Sequence, residues 1–356
     1  MKIIVDAMGG DNAPQAIVQG ALDAHREYGV DILLVGRAAE VLRAVEACGE
    51  KTLPAGVEIR DASEVVEIAD DPAIAFKIKK DSSLTVGLNL LKDGAGDAFV
   101  SAGSTGALLA GATLLVKRIK GIRRAALGPS VPILGGHITL CDCGANAECT
   151  PEYLLQFAFL GSFYAEKVRG IQQPRVGLLN IGAEEEKGDI LRHETFALLK
   201  EAGDQGRINF IGNVEANDAV LGKADVVVTD GFTGNVMLKT LEGTAKFLMK
   251  ELKNVYLTNG RTKLGAVLVK NEMAGMKRKA DPAEIGGTPF LGISKPVIKA
   301  HGGSDANAIK NAILRAKEYA ESGFIEEIEK NIDHMRVKPA PEKVRLPIDT
   351  GAVVAV

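Results

Sequence analysis

Apolar and polar positions fall in alternating blocks along this chain. Short runs rich in branched residues, at Lys2–Asp6, Asp31–Val35, Val57–Arg60, Ala98–Ser101, His137–Asp142, Arg175–Ile181, Asn209–Ile211 and Asp225–Thr229, read as strands. Most are apolar on both faces, as strands buried between two layers of helix must be. The stretches between them carry helical spacing and predict helices over Pro14–Tyr28, Ala38–Ala47, Ser82–Lys92, Gly103–Val116, Pro151–Val168, Lys187–Glu201 and Asn235 to about Tyr256. Strand and helix in alternation predict an α/β fold with a mostly parallel sheet covered on both faces. No internal repeat is present.

Two segments break the pattern. Lys253–Lys279 mixes Lys and Arg with Leu264, Val267, Leu268, Met273 and Met276, and is interrupted by Asn259-Gly260 and by Gly265. It reads as a projecting helical hairpin whose mix of basic and apolar residues suits a membrane surface, or else as a dimer-interface or core helix pair. Basic residues there (Arg261, Lys263, Lys277, Arg278) are candidates to meet an acidic partner protein. The last stretch, Val337–Val356, has three prolines and no periodicity, and reads as a loose tail.

Composition narrows the class. The 356 residues suffice for a substantial core, and with no Trp and 4% aromatics that core must be built from Leu, Ile, Val and Ala. A net charge of −3 lacks the basic excess of a general nucleic-acid binder. Four cysteines without framework spacing fit a reducing cytoplasm. The N-terminus reads as a strand rather than a signal peptide. The longest apolar stretch, Ala107–Val116, is about half of the ~20 residues a spanning helix needs.

In an open parallel sheet, ligands bind beyond the carboxyl ends of the strands. Six glycine-bearing turns fall at or near such ends. Asp6-Ala-Met-Gly9-Gly10-Asp11 follows the first strand, and Ser101-Ala-Gly103-Ser104-Thr105-Gly106 opens a helix with amides and hydroxyls that suit an anion. This is neither a Walker A loop nor a dinucleotide fingerprint. Asp142-Cys-Gly-Ala-Asn146 carries Cys141, Cys143 and nearby Cys149. Two thiols two apart on one strand, with no fourth ligand, read as buried residues rather than a metal site. Asn180-Ile-Gly182…Glu-Glu-Lys187-Gly188 offers a lysine that is either a solvated helix partner or a phosphate-binding charge. In Asp230-Gly-Phe-Thr233-Gly234-Asn235 the asparagine is either a helix cap or a donor to a developing oxyanion. His301-Gly302-Gly303 is either structural or a ligand contact.

Taken together and in this order, these segments resemble the bacterial phosphate acyltransferases known as PlsX, over residues 1 to about 336. The resemblance implies a single catalytic domain over 1–336 with a three-layer α/β/α sandwich similar to phosphotransacetylase and to isocitrate and isopropylmalate dehydrogenases. It implies a reaction of long-chain acyl–acyl carrier protein with inorganic phosphate, giving acyl phosphate for phospholipid synthesis. A homodimer, peripheral membrane contact and hand-off to a membrane glycerol-phosphate acyltransferase are also implied. By motif, Lys187 matches the family's active-site lysine and Asn235 its active-site asparagine.

That chemistry needs no metal, nicotinamide or covalent intermediate, because phosphate is already an anion and a pantetheine thiol leaves readily. The enzyme's work is then positioning and charge stabilisation. Two alternatives share parts of this reading: a phosphotransacetylase-like enzyme taking acyl-CoA, and a non-catalytic scaffold that binds carrier protein at the membrane.

Overall fold

The computed structural model describes residues 1–67, 69–279 and 282–337. Twelve strands are found among them: β1 (Lys2–Asp6), β2 (Asp31–Gly36), β3 (Val57–Asp61), β4 (Ala98–Ser101), β5 (Ala126–Leu127), β6 (Ser130–Ile133), β7 (Gly136–Cys141), β8 (Arg175–Leu179), β9 (Asn209–Val214), β10 (Val226–Val228), β11 (Thr288–Leu291) and β12 (Val297–Lys299). They form two sheets rather than one. The first runs β3-β2-β1-β4-β12-β11-β5 and the second β6-β7-β10-β8-β9. Pairing is parallel except where β11 meets β12 and β5, and where β6 meets β7.

A shared core joins the two sheets. Val5, Val100 and Ile298 of the first sheet lie in one apolar cluster with Val176, Leu178 and Val226 of the second. Helix Pro151–Lys167 is the keystone of this arrangement, packing on β7, β8 and β10 and also on β11. Its residues from Leu154 to Ala165 are all buried, so it is apolar around its whole circumference. Removing one of its large side chains, as in Phe157→Ala, costs about 3–5 kcal/mol.

Several boundaries differ from the sequence expectation, each for a local reason. The helix expected from Lys187 begins at Ile190, with the Asp189 side chain accepting from the Arg192 amide. Gly188 at φ +104° holds a left-handed turn that no helix can run through. The helix expected from Asn235 begins at Gly231, capped by Asp230. Asn235 is therefore inside the helix and is not its cap. Ser104 caps helix Thr105–Gly111, which continues as a π turn to Val116. The expected hairpin is an extension of the long helix Gly231–Leu257, followed by helices Gly260–Leu268 and Lys270–Lys279. Most of the expected tail at 337–356, and the side chains of Lys277 and Arg278, lie outside the described residues.

Candidate active site

The topology fixes where the first group of turns must meet. From β1 the chain goes to β2 and β3 on one side, while β4 lies on the other. The gap at the ends of β1 and β4 is thus a topological switch point, the position at which open α/β sheets hold ligands. Asp6 ends β1 there, fully buried. It accepts a hydrogen bond from the Ser101 hydroxyl at 2.6 Å and from the amides of Met8 and Gly9 at 3.2 and 3.1 Å. Burial pushes its carboxyl above the ordinary range, and those hydrogen bonds oppose the shift. Ser101 in turn accepts from the Gly103 amide, and the Asp11 amide donates to the Gly302 carbonyl. The His301 ring accepts from the Gly303 amide. Asp6, Gly9, Gly10, Asp11, Ser101, Gly103, His301 and Gly302 thus form one cluster. Ser104, Thr105 and Gly106 begin the helix beside it.

A lysine completes this cluster that the sequence reading did not single out. Lys299 ends β12 next to Ser101 of β4 and is buried. Its ammonium donates to the carbonyls of Ala102, at 3.2 Å, and Ala300. Burial brings its pKa down to about 8, against the opposing pull of Asp6 and Asp11.

The second group assembles on the other sheet. Asp142, at the end of β7, is buried and accepts from the amides of Leu127, Cys143 and Asn146 at 2.6–2.7 Å, and from the Asn146 side chain at 3.0 Å. Burial lifts its carboxyl to about 6 against those four donors. The helix that starts at Gly231 comes down onto this turn. The Gly231 amide donates to the Asn146 carbonyl, and the Gly144 amide donates to that of Gly231. Contact is so close at Gly234 that a Cβ would land on the Asp142 carbonyl oxygen, so only glycine fits. Asn235, one residue on, therefore lies against the Gly144 turn, and a Cβ at Gly144 would sit 3.6 Å from its Oδ1.

Asp230 accepts from the amide and the hydroxyl of Thr233, both at 2.8 Å, and from the Arg192 guanidinium. Burial raises its carboxyl, but the Thr233 and Arg192 contacts outweigh it and hold the pKa below the usual aspartate value. Arg192 also reaches the Thr233 hydroxyl at 3.2 Å. It belongs to the helix following the Lys187 loop, so it ties that loop to the Asn235 helix. The loop is fixed at its other end by Asn180, whose side chain donates to the Lys187 carbonyl at 2.9 Å, and by Asn213, which donates to the Glu184 carbonyl at 2.7 Å. Lys187 itself is exposed. Neither its ammonium nor the Asn235 amide has a hydrogen-bond partner among the described residues.

The predicted residues therefore fall into two groups, one per sheet: Asp6 to His301 on the first, and Asn146, Lys187, Asp230, Thr233, Gly234 and Asn235 on the second. No hydrogen bond among the described residues joins them. Cys141 and Cys143 are buried, and burial pushes the Cys143 and Cys149 thiols to about 12, so these sulfurs stay protonated. Leu264, Val267, Leu268 and Met276 stand exposed away from both groups, with Met273 half-buried. No helix among the described residues is long and apolar enough to cross a membrane.

Residues 1–327 match the family model described as "Fatty acid synthesis protein". A protein of Desulfitobacterium hafniense named phosphate acyltransferase is 48% identical over 333 residues, which cover 93% of this chain and 98% of that one. Its namesake from Acetivibrio thermocellus is 44% identical over 95% of this chain and 98% of its own. The chain belongs to the phosphate acyltransferase family. It is accordingly an acyltransferase, and acyl transfer to phosphate is the class of its reaction. The fold of this family member also resembles a phosphotransacetylase from Streptococcus pyogenes (TM-score 0.61, 18% identity, 90% of this chain and 94% of the other). A branched-chain phosphotransacylase from Enterococcus faecalis superposes with a TM-score of 0.53 at 16% identity, over 90% of this chain and all of the other.

Proposed function

We propose that this acyltransferase moves a long-chain acyl group from acyl–acyl carrier protein to inorganic phosphate, releasing acyl phosphate and free carrier protein for phospholipid synthesis. The observation that supports this reading best is that Lys187 and Asn235, polar side chains without a hydrogen-bond partner among the described residues, sit on segments fixed by Asn180 and tied to each other through Arg192 and Asp230. Lys187 serves as the point charge for phosphate. Asn235 donates its amide to the oxyanion that develops on the thioester carbonyl. The Gly9, Asp11 and Gly103 amides and the Ser101 hydroxyl are engaged within the cluster, so its donors for the anion are the Ser104 and Thr105 hydroxyls at the start of the adjoining helix.

The step balances without a covalent enzyme intermediate. A phosphate oxygen attacks the thioester carbon, a C–O bond forms, the C–S bond breaks, and the electron pair leaves on sulfur. The proton of hydrogen phosphate goes to the pantetheine thiolate, whose thiol pKa is ~8.5. Catalysis then rests on positioning and charge.

A homodimer and peripheral membrane contact through the exposed Leu264–Met276 face belong to the same proposal, which places the product beside a membrane acyltransferase. Comparing acyl–acyl carrier protein with acyl-CoA as donor, at matched chain length, tests the donor assignment. A kcat/KM at least about 10-fold higher with the carrier protein is expected. Preference for acyl-CoA would replace this reading by that of a phosphotransacetylase-like enzyme.

A further inference from the structure

The segment Lys117–Arg124 concentrates positive charge as no other surface element described here does. Its eight residues hold Lys117, Arg118, Lys120, Arg123 and Arg124 and no acid, in a chain whose net charge is negative. Of these cations, only Arg123 meets a carboxylate among the described residues, that of Glu152 at 3.3 Å. The segment borders a cleft of about 390 Å³ lined by Arg118, Arg123, Arg124 and Tyr153, with the Arg124 guanidinium over the Tyr153 ring at 5.7 Å.

This surface is built, not loose. The Arg123 amide donates to the side-chain oxygen of buried Gln156 at 2.8 Å, and the Gln156 amide donates back to the Gly121 carbonyl at 3.1 Å. The Arg118 guanidinium holds the Arg123 carbonyl at 2.8 Å. Ile119 and Ile122 point inward and are buried, so the face presents charge and almost no apolar side chain.

The segment also leads straight to the second half of the candidate site. Ala125, the next residue, accepts from the Asn146 side chain at 2.8 Å, and the Leu127 amide donates to Asp142 at 2.7 Å. A partner seated on Lys117–Arg124 is thus at the rim of the turn that Asn235 packs against.

We propose that Lys117–Arg124 is the docking surface for an acidic protein, the carrier half of the acyl donor, which rests on the donor reading above. An anionic membrane is the less suitable occupant, because the isoleucines within the segment, Ile119 and Ile122, are buried, while exposed apolar side chains gather on the 231–257 and 260–276 helices. Complementary charge of this kind sets association rate and specificity more than the chemical step.

The test uses the double variant Lys120→Glu/Arg124→Glu, both exposed positions, with an unchanged melting curve as the folding control. Its KM for acyl–acyl carrier protein should rise by about 10-fold or more with kcat little changed, and the salt dependence of kcat/KM should flatten. Turnover of a small acyl-pantetheine thioester should equal that of wild type. An unchanged carrier KM, or an equal loss with the small donor, overturns the proposal. So does loss of binding to anionic vesicles with the carrier KM intact. If the wild-type enzyme itself ignores acyl–acyl carrier protein, the donor reading has failed rather than the placement of its docking surface.

Discussion

The Arg192 guanidinium donates to the buried carboxylate of Asp230, joining the segment that follows β8 to the first turn of the helix that carries Asn235. Lys187 lies five residues before Arg192 and Asn235 five residues after Asp230, so this ion pair sets how the two stand to one another. Its removal should be felt in both stability and turnover. Arg192→Met leaves a buried carboxylate without its charge partner, at a cost of about 3 kcal/mol. Asp230 is held below the usual aspartate pKa of 3.8, so the stability it contributes is present above that pH and is lost as pH falls through the folded value. Denaturant titrations of variant and wild type should therefore differ at pH 7 and converge toward pH 3. A gap that stays constant over that range contradicts the assignment.

Lys299 makes a second prediction, in which a burial cost is offset by hydrogen bonds. Lowering its pKa from 10.5 to about 8 makes the buried charge cost about 3 kcal/mol at pH 7. Two charge-assisted hydrogen bonds to the Ala102 and Ala300 carbonyls return about 1.5–3 kcal/mol each. Lys299→Met should accordingly fold with a modest change in stability, yet loosen the Ala102 and Ala300 turns. Under the phosphate-cradle reading the KM for phosphate rises about 10-fold or more, and more than that for the acyl donor, while Lys299→Arg restores part of it. Between pH 8 and 10.5 the folded wild type binds fewer protons than the unfolded chain, so its stability should gain on the Met variant as pH rises. Equal effects on both KM values would mark Lys299 as purely structural.

The exposed face of the helices after Leu257 gives a third. Leu268 is 75% and Val267 69% exposed, beside Leu264 and Met276. Leu268→Glu puts a charge where insertion needs apolar area, so liposome flotation should drop severalfold while turnover of a soluble donor holds. Equal flotation of variant and wild type removes the membrane role and leaves a protein interface as the use of this face.

Much of the architecture was legible because its strands are apolar on both faces and its turns carry glycine. β1 and β4 and the Asp6, Ser101 and Asp230 turns all lie where the pattern put them. β5, β6, β11 and β12 escaped notice because each is only two to four residues long, and Pro132 and Pro289 sit inside two of them. The division into two sheets escaped for the same reason, since the short antiparallel strands β5, β6 and β11 lie at or beside the sheet edges. Lys299 and Arg192 were invisible for a different reason. A lysine ending an apolar run and an arginine in the first turn of a helix both look like solvated charges. Only the long-range packing of β12 against β4, and the meeting of Arg192 with Asp230 and Thr233 at the start of the Asn235 helix, turns them inward. Asp142 stood in a recognisable motif, but nothing local announces that four N–H groups converge on it.

The most direct measurement of the central claim traps acyl phosphate with hydroxylamine in a mixture of enzyme, acyl–acyl carrier protein and inorganic phosphate. Phosphate-dependent hydroxamate should form with the wild type, and Lys187→Ala and Asn235→Ala should each lower its rate by roughly 10²-fold or more. Hydroxamate formation that ignores phosphate, or near-normal rates in both variants, would contradict the account.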